Sequence, residues 1–422
     1  MKRKIRFHKL VSIACAMMVF WTSWVSMARI KLTTLPQRNK VEIQLDNGRY
    51  TLVEEVRIVP LLPSTPARGH NKIDFSWSNA SLNKSTILFR PIAIREGKKW
   101  RSIASIKRPD GSTGPEVEVL NVSYPPGEKA LVWEVFASKA CAVKVRVSYL
   151  IHNLTRKFSY RALANQDETQ LTLRQYVRIF NNSGEDFGWA NYWLGFESFF
   201  RKNIEQGSSL KILSQRYTKI PVSKTFTFDW YTHGKLNSAK PNASKVLMHY
   251  VLRNDKKNGL GKFPLEAGKV RIFIKDKQGS HAFLGEDRAK LTPIDGAMKL
   301  YIGQARDILC KRFIETNKRH QIRGNLYNQE IVIRYEIENF KDKPATLQIR
   351  EQLQRLTRQY FGTTRGDVEW KILSKSKGYS SLKGKGTNNP VLSVDLKARP
   401  KGKDKKVEKK VVRLHVMLKN LW

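Results

Sequence analysis

VEIQLDNGRYTLV (residues 41–53) alternates apolar and polar residues on both sides of Asn47-Gly48. In an extended chain successive side chains point to opposite faces, so this alternation gives one buried and one solvated face. Asn-Gly tolerates the positive φ values of a tight turn. The stretch therefore reads as a β-hairpin. The same period continues outward. TILFRPIAIR-EGK-KWRSIASIKR (86–108) reads as a second hairpin, with Pro91 pointing to an edge or a bulge. PEVEVLNVSY, ALVWEVFA and CAVKVRVSYLI follow as strands, with PLLPSTPARGHNK (60–72) as a loop.

Beyond residue 150, TQLTLRQYVRIFN (169–181) and WANYWLGFE (189–197) alternate, and KVLMHYVLR, KVRIFIKD and SHAFLGE are short strands between turn signals. NQEIVIRYEIENF (328–340) and ATLQIREQL (345–353) read as strands joined by a KDKP hairpin loop, and DVEWKIL, PVLSVDLKA and KKVVRLHVML complete the set. Helical spacing is confined to QARDILCKRF (304–313) and EQLQRLTRQYF (351–361). The expected fold is all-β: tandem antiparallel sandwiches of immunoglobulin or fibronectin type. The expected divisions are a signal peptide at 1–28, an N-terminal β domain at 29–142, a central β-rich domain at 143–325 and a C-terminal sandwich at 326–422.

The 422 residues suffice for two or three domains, and 41% hydrophobic content supplies their cores. Lys and Arg number 78 against 36 Asp and Glu, a formal charge of +42 that favours anionic partners. MKRKIRFHK is a basic leader, LVSIACAMMVFWTSWVSMA is apolar, and Ser26-Met27-Ala28 fits a cleavage site before Arg29. Loss of residues 1–28 removes Lys2, Arg3, Lys4, Arg6 and Lys9 and no acid, leaving +37. Export to the periplasm, outer envelope or medium is expected; the alternative is an inner-membrane anchor formed by residues 10–28. Cys15 lies in this segment, and Cys141 and Cys310 are read as free thiols or as one bridge.

The eight histidines show no HxH or HExxH spacing, so no metal site is expected. No G-x-S-x-G occurs. NGLGKF (258–263) and GYSSLKGKGT (378–387) mimic phosphate loops without the hydroxyl and spacing such loops need. No cofactor is expected. Two Gly-Glu-Asp triplets, in NNSGEDFGWA (181–190) and FLGEDRAKLTP (283–293), pair carboxylates. Glu185, Asp186, Glu286 and Asp287 are read as turn residues following strands; the competing reading joins them into a glycosidase-like pair. Aromatic clusters at 188–200 and 225–233 are read first as packing and second as stacking surfaces. Basic runs at 375–386 and 397–410 are solvated loops, with Lys401, Lys403, Lys405 and Lys406 as candidate anion-binding residues.

KVRVSYLIHNLTRKFSYRALANQDETQLTLRQYVRIFNNSGEDFGWANYWLGF resembles the opening of the domain of unknown function family 4139, whose better-known branch holds mucoidy inhibitor A-like proteins. NDKKNGLGKFPLEAGKVRIFIKD, AFLGEDRAKLTPIDGAMKLYIGQARDILCKR and IRYEIENFKDKPATLQIREQL are similar to later blocks in the same order, so the resemblance spans about residues 143–422. Residues 201–245 match poorly, the coiled coil of the mucoidy branch is absent, and the chain is more basic than expected for the family. The resemblance implies an exported β-rich protein with both triplets at pattern positions, and it transfers no catalytic residues.

The function expected from the sequence is therefore a non-catalytic binding or structural component of the cell envelope. Anionic envelope polysaccharide or lipid head groups are the expected partners, and no specific nucleic acid. The alternatives are an envelope carbohydrate hydrolase using the triplet carboxylates and a basic nucleic-acid binder.

Overall fold

A computed structural model of the chain describes residues 30–31, 38–45, 49–77, 81–108, 111–195, 199–233, 244–361, 369–400 and 407–421. The expected signal segment, the Asn47-Gly48 turn and Lys401, Lys403, Lys405 and Lys406 lie outside these residues. The protein is all-β and of sandwich type: the described residues are 65% strand and 4% helix, in several sheets with no closed barrel among them. Two compact units divide it, Met1–Arg156 with Arg178–Lys211, and Lys157–Val177 with Ile212–Trp422. The boundary expected at 142/143 falls inside the Cys141–Ile151 strand, and that expected at 325/326 falls between two paired strands, Ala297–Arg323 and Leu326–Asn339. Composition marks no linker at either place, because strand patterning runs through both.

In the first unit the hairpin of 41–53 forms as expected, with Ile43 opposite Val53. Thr51–Leu61 pairs along its whole length with Cys141–Ile151, which also pairs with Leu88–Glu96. Register slips between Lys144 and Val145, where Pro91 sits, so the proline occupies a bulge that needs no ladder N–H. A seven-stranded sheet results. A four-stranded sheet containing Asn71–Ser76 and Ala130–Ala137 supplies the second layer. Side chains from both layers meet in an aromatic cluster, with Phe75 5.7 Å from Tyr149 and Phe89 4.7 Å from Trp133 between ring centroids.

The second unit is built on a nine-stranded and a five-stranded sheet. The two ends of the nine-stranded sheet share one core: Phe226, Leu347 and Val394 from one side pack with Ile331, Leu414 and Val416 from the other. The five-stranded sheet runs in the order Ser209–Pro221, Gln170–Asn181, Leu154–Ala164, Gly268–Lys275 and His281–Ala289. Its inward side chains, among them Tyr160, Ala162, Leu173, Val270 and Ile272, pack on Tyr250, Leu252 and Leu300.

Two expectations fail for identifiable reasons. Residues 304–313 lie in the 27-residue strand Ala297–Arg323 and are not a helix. Ile308, Cys310 and Arg312 all point inward. The buried arginine breaks the apolar alternation and disguises the strand. Arg312 Nε donates to Glu351 Oε1 (2.7 Å), and the two side chains are 3% and 0% exposed. The KDKP loop does not close a hairpin either: Leu326–Asn339 pairs with Lys409–Leu421, whereas Ala345–Arg350 pairs with Val391–Leu396. The loop therefore carries the chain from one end of the nine-stranded sheet to the other. The second helix candidate is correct, at Leu353–Phe361, with Leu353 and Leu356 in the core.

Candidate anion-binding face

The two Gly-Glu-Asp triplets adopt different structures in different units. The first lies in a bend between Gln170–Asn181 and Trp189–Trp193, and Gly184 supplies a φ of 84°. Asn181 Nδ2 holds the bend by donating to the carbonyl of Glu185 (2.9 Å). Glu185 pairs with Arg38, whose Nη1 also donates to the carbonyl of Asp186 (2.7 Å). Arg38 Nε lies 3.5 Å from Glu55, a fully buried carboxylate that also accepts from Arg57 Nε (2.8 Å) and Tyr149 Oη (2.7 Å). Burial works against the Arg38 charge, but Glu55, Tyr149 and Glu185 outweigh it and hold its pKa above the ordinary value. Asp186 Oδ1 accepts from the backbone N–H of Gln206 (2.5 Å), twenty residues on. Both carboxylates take part in fixing local structure.

The second triplet is not a turn. Gly285, Glu286 and Asp287 belong to the strand His281–Ala289, at a point where its register against Gly268–Lys275 slips. Asp287 Oδ2 accepts from the backbone N–H of Tyr301 (2.6 Å). Glu286 faces solvent opposite Arg271, 2.7 Å from Lys269 Nζ and 3.0 Å from Arg271 Nε. Hydrogen bonds from Lys269 and then Arg271 lower its pKa.

Glu286 thereby marks a cationic face that no single segment of sequence displays. The core-facing residues of the five-stranded sheet alternate with outward residues, and pairing aligns the outward ones. Arg161 lies beside Arg271 and Ser159 beside Lys269 in a parallel register, and Lys269 lies opposite Arg288. Arg174, Arg161, Lys269, Arg271, Lys275 and Arg288 thus project from four adjacent strands, with Glu286 their acidic neighbour. Like charges side by side across strands are unfavourable by a few tenths of a kcal/mol or more. A sheet selected for stability alone would alternate their signs.

Aromatic rings interleave with these cations. Leu163, Phe273 and Phe283 form the next row, and the two rings meet edge to face at 5.4 Å. Phe283 is 59% exposed, and the Arg161 guanidinium sits 4.7 Å above Phe273. Such a cation–π contact is worth about 0.5–1 kcal/mol at an exposed site, and it holds the guanidinium in place.

Some basic residues elsewhere are paired with acids. Glu330 takes Lys375, and Glu315 takes Arg413 and Arg334. A pocket of about 100 Å³ beside the 397–410 run mixes Asp395 and Glu408 with Lys397 and Lys410, and Lys397 pairs with Glu408 at 3.3 Å. Of the aromatic clusters, Phe226 and Phe228 are core, whereas Trp189 is 63% exposed at a sheet margin. Cys141 and Cys310 are free thiols. Burial pushes the pKa of each upward, that of Cys310 far up. Among the described residues no three His, Cys, Asp or Glu side chains gather as metal ligands would, and no helix is long and apolar enough to cross a membrane.

The sequence alone points to the lysine-rich loops as candidate anion-binding residues and does not single out Arg161, Arg174, Lys269, Arg271 and Arg288 as one face. A signal existed in KVRIFIK, where Lys269, Arg271, Phe273 and Lys275 share one face by alternation. No protein-family model matches the chain, and no curated protein matches it.

Proposed function

We propose that the protein is an exported binding component of the cell envelope that engages an anionic polysaccharide through the outer face of its five-stranded sheet. The alignment of Arg161, Lys269, Arg271 and Arg288 across paired strands, around half-buried Phe273 and exposed Phe283, carries this reading. A polyanion laid on this face relieves the repulsion among its cations, and sugar rings have apolar faces that stack on aromatic side chains. Rigid strands set the spacing of the charges before binding, so little ordering entropy is lost. Lys401, Lys403, Lys405 and Lys406 add a second source of positive charge. The resemblance to family 4139 adds the expectation of export and supplies no catalytic residue. Recognition of this kind needs none.

Purified protein should be retained by an immobilised anionic polysaccharide at low salt, released by added salt, and ignored by a neutral polysaccharide of equal length. Changing Arg161, Arg271 and Arg288 together to Gln should weaken retention more than changing the four loop lysines. Binding of the neutral polymer, or capture by anionic lipid vesicles without capture by the polysaccharide, would refute the reading.

A further inference from the structure

One part of the cationic face is concave. A pocket of about 20 Å³ is lined by Arg161, Leu163, Thr172, Arg174 and His281, which come from three strands of the sheet. That volume exceeds the ~10–15 Å³ a single water needs, so the pocket admits a polar atom below the level of the face. Arg161 Nη2 lies 3.1 Å from His281 Nδ1. A guanidinium has donors only, so in this contact the imidazole nitrogen accepts and Nε2 carries the ring proton. Arg161 and Arg174 have no carboxylate partner among the described residues. The lining thus offers two guanidinium forks, a hydroxyl and a ring N–H, with Leu163 as its apolar member. All these polar groups can donate, and no acid answers them.

We infer that this pocket is a subsite for a tetrahedral oxyanion, a phosphate or sulfate ester carried by the polysaccharide. The inference rests on the anion-binding reading and narrows it from polyanions in general to esterified ones. Donors from three strands converge from different directions. A phosphate or sulfate presents three outward oxygens in a tetrahedral array and can answer several of them at once. A carboxylate presents two oxygens in one plane and satisfies a single fork. Guanidinium groups bind phosphate bidentately through charge-assisted hydrogen bonds of roughly twice neutral strength. Phe273, held under Arg161, keeps one fork aimed.

The test compares three polymers of matched length and charge density: a sulfated dextran, a phosphorylated dextran and a polyuronate. Vesicles containing phosphatidic acid serve as a fourth arm. Wild-type protein should prefer either ester polymer over the polyuronate by about tenfold, the discrimination one or two extra charge-assisted hydrogen bonds provide. Arg174→Gln and Thr172→Val should each reduce that preference severalfold with an unchanged circular dichroism spectrum. Lys275→Gln, on the same face outside the pocket, should weaken all three polymers alike and keep the ratio. Inorganic sulfate or phosphate should compete for the ester polymers more effectively than chloride at equal ionic strength. Equal binding of ester and carboxylate polymers, or a preference untouched by both pocket variants, would overturn the subsite and leave the face standing. Failure of all three polymers and of the vesicles to bind at low salt would overturn the face itself. Binding of the vesicles alone would place the phosphate on a lipid and overturn the polysaccharide assignment.

Discussion

The same three residues, Gly-Glu-Asp, do opposite work in the two units. At 184–186 they form a bend whose glutamate is tied, through Arg38, to the buried carboxylate of Glu55. At 285–287 they lie in an edge strand, and the glutamate stands among cations on an open face. In the first setting the acid serves stability, because a buried charge left without its partner is costly. In the second it tempers a field that would otherwise be wholly positive. A tripeptide has no fixed meaning: the neighbours brought by strand pairing decide whether its charge is structural or tunes a surface.

The largest effect should come from the buried side of this comparison. Glu55→Ala removes the carboxylate that pairs with Arg57, whose side chain is 3% exposed, and that accepts from Tyr149. A loss of about 3–5 kcal/mol is expected for breaking such a pair. Native-state hydrogen exchange should show it as lost protection along Thr51–Leu61 and Cys141–Ile151. Unchanged protection there would mean that the network is dispensable. Glu185→Gln and Asp186→Ala should each cost only about 1 kcal/mol, because their groups are nearer solvent and each loses one or two hydrogen bonds. Denaturant midpoints would resolve that difference, and a Glu185 variant as damaging as Glu55→Ala would erase the distinction between rim and core.

Glu286→Gln should leave the unfolding midpoint unchanged within error and strengthen polysaccharide binding about two- to threefold, since one opposing surface charge is removed. Acid should act in the same direction. The folded pKa of Glu286 is depressed by Lys269 and Arg271, so its ion pairs are present above the ordinary carboxylate pKa and are lost as pH falls through the lower folded value. Over that acid window its negative charge disappears from the face. Wild-type binding should then tighten toward the level of Glu286→Gln, and the variant should lack this component. A variant that binds more weakly than wild type would show Glu286 contacting the ligand instead of opposing it.

Much of the fold was legible because one face of nearly every strand is apolar and the other polar. CAVKVRVSYLI and KVVRLHVML carry that pattern over most of their length, and both are strands. Legibility failed where a charge is buried. Arg312 sits at an inward position, satisfied by a glutamate 39 residues away, and no local rule anticipates that partner. Pairing order is hidden too, which is why the KDKP loop reads locally as a hairpin. The cationic face was half visible: alternation says which residues of KVRIFIK point outward together. That Arg161 lies beside Arg271 depends on a parallel register between strands more than a hundred residues apart, and short-range pattern carries no record of it.

Salt dependence tests the central claim most directly. The association constant for an anionic polysaccharide should fall linearly with salt on a double-logarithmic plot, as counterion release requires. Replacing Arg161, Arg174 and Arg271 with Gln should reduce the slope by about 2–3, close to one for each cation removed from contact. An unchanged slope in that triple variant, or binding indifferent to salt in the wild type, would contradict the assignment of anion recognition to this sheet face.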